Sequence, residues 1–121
     1  MKFLESKVHG YLDYAVGTLL LFIPSIFQLE VHTAQSIIFY ILGIAIFFLS
    51  LQTDYEFGLY KILPMEIHVF IEILLGLFMI LSPWIFGFSH KAIFPHLLFG
   101  FVLIILGLAT KTEGRTLNRI Y

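Results

Sequence analysis

Four ionisable residues stand in apolar stretches of this 121-residue sequence at a repeated spacing: His9 with Asp13, and His68 with Glu72. A separation of four places each imidazole over its carboxylate on one face of a helix. Two imidazoles and two carboxylates can do three kinds of chemistry. They can act as structural glue, with hydrogen bonds across helices that average about 0.6 kcal/mol in membrane bundles and reach about 1.7. They can hold a single divalent transition metal such as Zn, Fe or Mn, as inward-facing side chains of helical bundles do. The His-x3-acid spacing departs from the Glu-x-x-His of di-iron bundles and favours one ion over two. They can also relay protons, since a carboxylate in low dielectric holds its proton tightly and His titrates near neutrality. Haem with two axial imidazoles is a fourth chemistry, to which no other residue points.

The elements that must position these groups follow from composition. Hydrophobic residues make up 60% of the chain and charged ones 12%, about half the roughly 25% of a soluble domain. That excludes an ordinary soluble enzyme and a disordered tail. Seven Lys+Arg against eight Asp+Glu leave no basic face for phosphates, so no nucleic-acid partner is expected. The absence of cysteine excludes disulfides, thiolate metal sites, Fe–S clusters and Cys nucleophiles. The length allows one domain, and lipid is the solvent that suits its apolar excess.

A spanning helix needs about 20 mostly apolar residues. Stretches near 8–27, 34–51, 65–83 and 92–109 qualify, and their lack of alternation favours helices over strands. Lys2 and Lys7 give a basic start, yet no small-x-small cleavage site follows the first stretch, which is therefore read as a retained helix. Lys2, Lys7, Lys61, Lys111, Arg115 and Arg119 fall on one side of this arrangement and only Lys91 on the other. The bias predicts that both termini and the 53–64 loop are cytoplasmic. Trp84, Phe86 and Phe88 then mark the outer interface, and Tyr55, Phe57 and Tyr60 the inner one.

Self-similarity is the most specific signal. VHGYLDYAVGTLLLFIPSIF at 8–27 aligns without a gap to IHVFIEILLGLFMILSPWIF at 67–86, at an offset of 59. The common pattern is His-x3-acid-x3-Gly-x6-Pro, carried by His9/His68, Asp13/Glu72, Gly17/Gly76 and Pro24/Pro83. In the second helices Gly43, Thr53 and Glu56 pair with Gly100, Thr110 and Glu113 at an offset of 57. The expected fold is an all-α membrane protein of four transmembrane helices, built as two parallel-repeat helix hairpins, with repeat 1 near 8–54 and repeat 2 near 66–112. Two spans per copy relate the repeats by an axis along the membrane normal.

The segment Leu81-Ser82-Pro83-Trp84-Ile85-Phe86-Gly87-Phe88 and the opening Val8-His9-Gly10-Tyr11-Leu12-Asp13-Tyr14 resemble the SPW repeat family of small bacterial membrane proteins. The resemblance covers nearly the whole chain. It implies two-helix repeats, a Ser-Pro-Trp tripeptide after the first helix of a repeat, and a place in the bacterial cytoplasmic membrane. It carries no biochemical activity. In the first repeat Ile23-Pro24-Ser25 keeps only the proline.

An ionisable side chain at the centre of a spanning helix costs about 2.5–3.5 kcal/mol, so His9, Asp13, His68 and Glu72 are expected to face inward. If helices 1 and 3 pack centrally, the repeat symmetry brings all four to one depth in the inner leaflet. Gly17 and Gly76, one turn further, permit close helix approach. Pro24 and Pro83 end or kink their helices, and Trp84 is an interface anchor. An outer proton path would need His96, the ionisable residue one turn into helix 4. His32 and His90 belong to outer loops, and Lys111 is within snorkelling reach of Glu72. No phosphate loop, nucleophile elbow, His-Glu-x-x-His or Ser/His/Asp set is present, so an enzyme is the least supported class. The working reading is a small structural or accessory membrane protein organised by the His/carboxylate cluster. The alternative is a metal-binding or proton-conducting protein using the same residues. So thin a bundle suits the lipid bilayer, a second copy of the chain or a larger membrane protein as partners.

Overall fold

The structure is a computed structural model in which residues 2–112 are described. Arg115 and Arg119 of the charge bias, and Glu113 of the repeat pairing, lie outside the described residues. The fold is all-helical: α1 (Ser6–Ile26), α2 (Ala34–Gln52), α3 (Met65–Ile85) and α4 (Phe94–Ala109). Two isolated bridges are the only extended pairings among the described residues. By length and composition α2 and α3 are apolar enough to cross a membrane. α4 is equally apolar but has 16 residues, about 24 Å of helix.

The repeat is legible in the helix bounds. α1 and α3 start and stop at the same offset of 59, and α2 and α4 stop at the same offset of 57. α4 starts later than its counterpart, and later than the sequence suggests, because Pro95 sits in its first turn, the position proline tolerates best. Pro24 and Pro83 each lie in a last turn, with the helix ending two residues on. The exits are alike: the Leu29 N–H donates to the Pro24 carbonyl and the Phe88 N–H to the Pro83 carbonyl, each at 2.8 Å. Between them sit Gln28 (φ 56°) and Gly87 (φ 73°), the left-handed residue of a Schellman turn.

Packing is closest within each hairpin, α1 on α2 and α3 on α4, with a lesser contact between α2 and α3. Glycine makes this possible. A Cβ on Gly43 would stand 2.9 Å from the Gly17 carbonyl oxygen, and one on Gly76 2.6 Å from that of Gly100. The close approach allowed by Gly17 and Gly76 is thus to the hairpin partner. Away from the His/carboxylate level, Leu20, Ile23, Phe39, Ile46, Met79 and Leu103 form a common apolar core. Phe88, expected at an interface, is buried in that core at 6% exposure, while Trp84 and Phe86 are exposed. The reason is the turn after α3, which folds Phe88 back over α4, 4.7 Å from the His96 ring.

The hairpins are joined end to end twice. At the start of α3 the Asp54 N–H donates to the Leu63 carbonyl, and the Ile62 and Leu63 N–H groups to that of Gln52. At the start of α1 the Lys111 N–H donates to Leu4, and the Phe3 and Leu4 N–H groups to Ala109. Parallel bridges Thr53–Leu63 and Leu4–Thr110 complete the two joints.

Candidate functional site

The start of α1 and the start of α3 each bring a His and, one turn on, a carboxylate to the interface between hairpins. His9, Asp13, His68 and Glu72 are all fully buried. His9 Nε2 lies 2.8 Å from Glu72 Oε2 and 3.0 Å from Asp13 Oδ2. His68 Nε2 lies 2.7 Å from Asp13 Oδ2 and 3.4 Å from Glu72 Oε2. The two rings stand edge to face, with centroids 5.3 Å apart. One ligand atom from each residue falls within 4.8 Å of all the others.

The other ring nitrogens are held by residues to which the sequence reading gave no role. Thr53 and Thr110 are the C-caps of α2 and α4. Each hydroxyl turns back to donate to the carbonyl four residues earlier, Thr53 to Leu49 and Thr110 to Leu106, both at 2.5 Å. A hydroxyl has one proton, so each threonine is left to accept. His68 Nδ1–H donates to Thr53 Oγ1 at 2.6 Å, and His9 Nδ1–H to Thr110 Oγ1 at 2.5 Å. Each histidine therefore takes its threonine from the opposite repeat. With both Nδ1 atoms acting as donors, both Nε2 atoms point at the carboxylates.

Charge counting follows. With neutral imidazoles the cluster carries two negative charges in a site sealed from water, a state that burial strongly disfavours. Two positive charges balance it: two protons, which make the Nε2 contacts hydrogen bonds, or one divalent ion on the Nε2 lone pairs. Asp13 Oδ1 and Glu72 Oε1 are buried and without hydrogen-bond partners, which leaves spare acceptor capacity on both acids. The edge-to-face rings, with carboxylates between them, do not fit the flat macrocycle of a haem.

Ser50 and Tyr55 also border the site, and neither was read from sequence as part of it. Ser50 Oγ donates to Asp13 Oδ2 at 3.2 Å. Tyr55, expected at an interface, is fully buried, its ring centroid 6.2 Å from that of His68. The segment after α2 folds inward, with the Gly58 N–H on the Tyr55 carbonyl, and Gly10 leaves room for the Tyr55 ring where any Cβ would collide with it. Burial pushes the Tyr55 phenol's pKa up, so it stays protonated. Among the other residues of that segment, Tyr60 is exposed and Phe57 half-buried.

The remaining candidates lie elsewhere. His96 is buried in the apolar half between Phe39 and Phe88, with Nε2 2.9 Å from the Gln35 carbonyl. His32, His90 and Lys111 are exposed. In the Ser-Pro-Trp tripeptide, Ser82 is buried and donates to the Met79 carbonyl at 2.7 Å.

These features define a class: a duplicated helix hairpin whose two copies close around a shared His/carboxylate centre. The chain belongs to the SPW repeat domain family, whose family model matches residues 7–110. No curated protein and no solved structure matches it.

Proposed function

We propose that the chain is a membrane-spanning protein built around one divalent-metal site, with His9, Asp13, His68 and Glu72 as ligands and Thr53 and Thr110 orienting the imidazoles. The observation that carries this reading is the commitment of both Nδ1 atoms to threonine, which aims two Nε2 lone pairs and two carboxylates at one point. Metal-bound histidines characteristically donate their other N–H to an acceptor that fixes the ring, most often a carboxylate, a backbone carbonyl or water, and here the threonine oxygens take that place. The ligand atoms of a tetrahedral ion with bonds of about 2.0–2.1 Å stand roughly 3.3 Å apart, so on binding the N···O separations of 2.7–3.4 Å open by a few tenths of an ångström while the widest pair, within 4.8 Å, closes. In the metal-free form two protons take the ion's place, and binding releases them.

The spanning reading rests on the inversion of polarity. Phe22, Ile41, Phe48, Phe101 and Ile105 are more than half exposed, while the ionisable cluster is sealed; water as solvent would favour the reverse. The charge bias orients both termini and the 53–64 loop to the cytoplasm, in the cytoplasmic membrane of a bacterium, with repeats near 8–54 and 66–112 forming one membrane domain. A second copy of the chain or a larger membrane protein would complete a bundle this thin.

A second reading has its own support: Nε2–carboxylate separations of 2.7–3.0 Å are hydrogen-bond lengths. In it the protons are permanent and the cluster is the lock of a structural or accessory protein. A relay across the membrane has less support. The other half of the bundle is filled by the apolar core, and His96 there is already bonded to a backbone carbonyl.

Elemental analysis of detergent-purified protein separates the two main readings, run on wild type and on the His9→Ala/His68→Ala variant after incubation with Zn, Mn or Fe(II) and desalting. The metal reading expects one ion per chain in wild type and none in the variant. No retained metal in a folded wild type sinks it and leaves the proton-locked core.

A further inference from the structure

The end of the bundle opposite the cluster carries two hollows that meet. Between α2 and α3 runs an apolar groove of about 360 Å³, walled by Ile37, Ile38, Ile41 and Leu42 of α2 and by Phe78 of α3. That volume is within the range of small-molecule sites, about 300–1,000 Å³. Ala34 and Phe86 close its outer end and also line a second hollow of about 190 Å³. This second hollow carries the polar groups of Thr33, Gln35, His90 and Lys91 among the apolar surfaces of Ala34, Phe86 and Phe88. A hollow that holds polar groups at the mouth of an apolar slot suits an amphiphile.

Several features of the second hollow suit a phosphate. Lys91 is the one described Lys or Arg at this end, where the 27–33 and 86–93 turns lie, and it opposes the charge bias of the chain. Gln35 is buried at 6% exposure, and its side-chain oxygen has no hydrogen-bond partner. The same amide group also carries two N–H donors for phosphate oxygens. The hollow also sits on the N-terminus of the 19-residue α2, whose cap makes no side-chain hydrogen bond to the helix. The Thr33 hydroxyl donates instead to the Glu30 carbonyl at 2.7 Å, and the Ser36 N–H donates to the Thr33 carbonyl, which leaves the Ala34 and Gln35 N–H groups and the positive end of the helix dipole to a ligand. A Cβ at Gly87 would meet nothing within 4 Å, so the rim is open.

We propose that this joined hollow and groove binds one anionic phospholipid, its phosphate against Lys91, Gln35 and the α2 N-terminus and one acyl chain lying between α2 and α3. The proposal rests on the spanning reading above and is independent of the metal. Native mass spectrometry of detergent-purified protein titrated with dioleoyl-phosphatidylglycerol or dioleoyl-phosphatidylcholine tests it. Wild type is expected to retain one phosphatidylglycerol in preference to phosphatidylcholine. Lys91→Gln should cut that preference about fivefold, the effect of one interfacial lysine. Ala34→Phe, which fills the junction of the two hollows, should weaken retention of both lipids, and millimolar inorganic phosphate should displace neither. Equal retention of the two lipids by wild type, an undiminished preference in Lys91→Gln, or displacement by inorganic phosphate overturns the proposal. Alkaline carbonate extraction of the expressing membranes keeps the two readings apart. Protein that stays in the membrane without lipid preference overturns the lipid site alone, whereas protein released to the supernatant overturns the spanning reading as well.

Discussion

The two hairpins agree at the shared His/carboxylate centre and diverge away from it. His9 and His68, Asp13 and Glu72, Thr53 and Thr110 all reach across to the other copy. Facing positions such as Ser50 and Gly107, Gln28 and Gly87, or Phe39 and His96 have drifted apart, and each now serves a local need. Ser50 donates to Asp13, while Gly107 lets α4 settle on α3, where a Cβ would stand 2.6 Å from Ile73 Cγ1. Phe39 and His96 pack on each other with centroids 4.5 Å apart, so the symmetry is broken at their contact. The difference teaches that the shared centre constrains both copies together, while the other positions answer to the packing immediately around them.

Unequal carboxylates give the largest test of that comparison. Asp13 Oδ2 is approached by His9, His68 and Ser50, whereas Glu72 Oε2 is close to His9 and lies 3.4 Å from His68. Asp13→Ala should therefore destabilise the detergent-solubilised protein by about 3–5 kcal/mol, the cost of breaking a buried charge set, and Glu72→Ala by less. Equal losses in a denaturant titration would mean that the two acids are interchangeable. Thr53→Val and Thr110→Val should each cost about 1–3 kcal/mol, because a buried imidazole N–H loses its acceptor. Those two losses should match, and a large inequality would break the twofold picture. Glycine replacements sharpen it further. Gly76→Ala, facing contacts of 2.6–3.1 Å, should cost about 1–3 kcal/mol, and Gly17→Ala, facing 3.1–3.3 Å, less. At the helix exits the effects are smallest and opposite in sign. Gln28→Gly should raise thermal stability by about 0.5–1 kcal/mol and Gly87→Ala lower it by a similar amount, since only the glycine adopts a positive φ freely.

The four helices and the His/carboxylate pairing were readable because each depends on spacing along one helix or on an offset between copies. Thr53 and Thr110 were visible as a repeated pair, yet their role depends on a C-cap turn that swings the hydroxyl toward the other hairpin, which no periodicity encodes. Tyr55 and Phe88 read as interface aromatics because hydropathy cannot tell a ring lying on a surface from one folded under a turn. Gly17 and Gly76 announced a close approach without saying to which neighbour. His96 looked like a step on a path, and only the aromatic rings packed around it reveal a core residue.

The matching joints at the two hairpin ends carry one more consequence. Leu63 meets Thr53 across a short covalent loop, and Leu4 meets Thr110 in the same way with no peptide link between them. In its backbone hydrogen bonds the molecule is a ring of four helices, covalently closed at one joint and open at the other. Where such a ring is opened matters little to its packing, and a circular permutant, cut inside the 53–64 loop and tied across the Leu4–Thr110 joint, would keep both joints and pass the order of synthesis from one hairpin to the other.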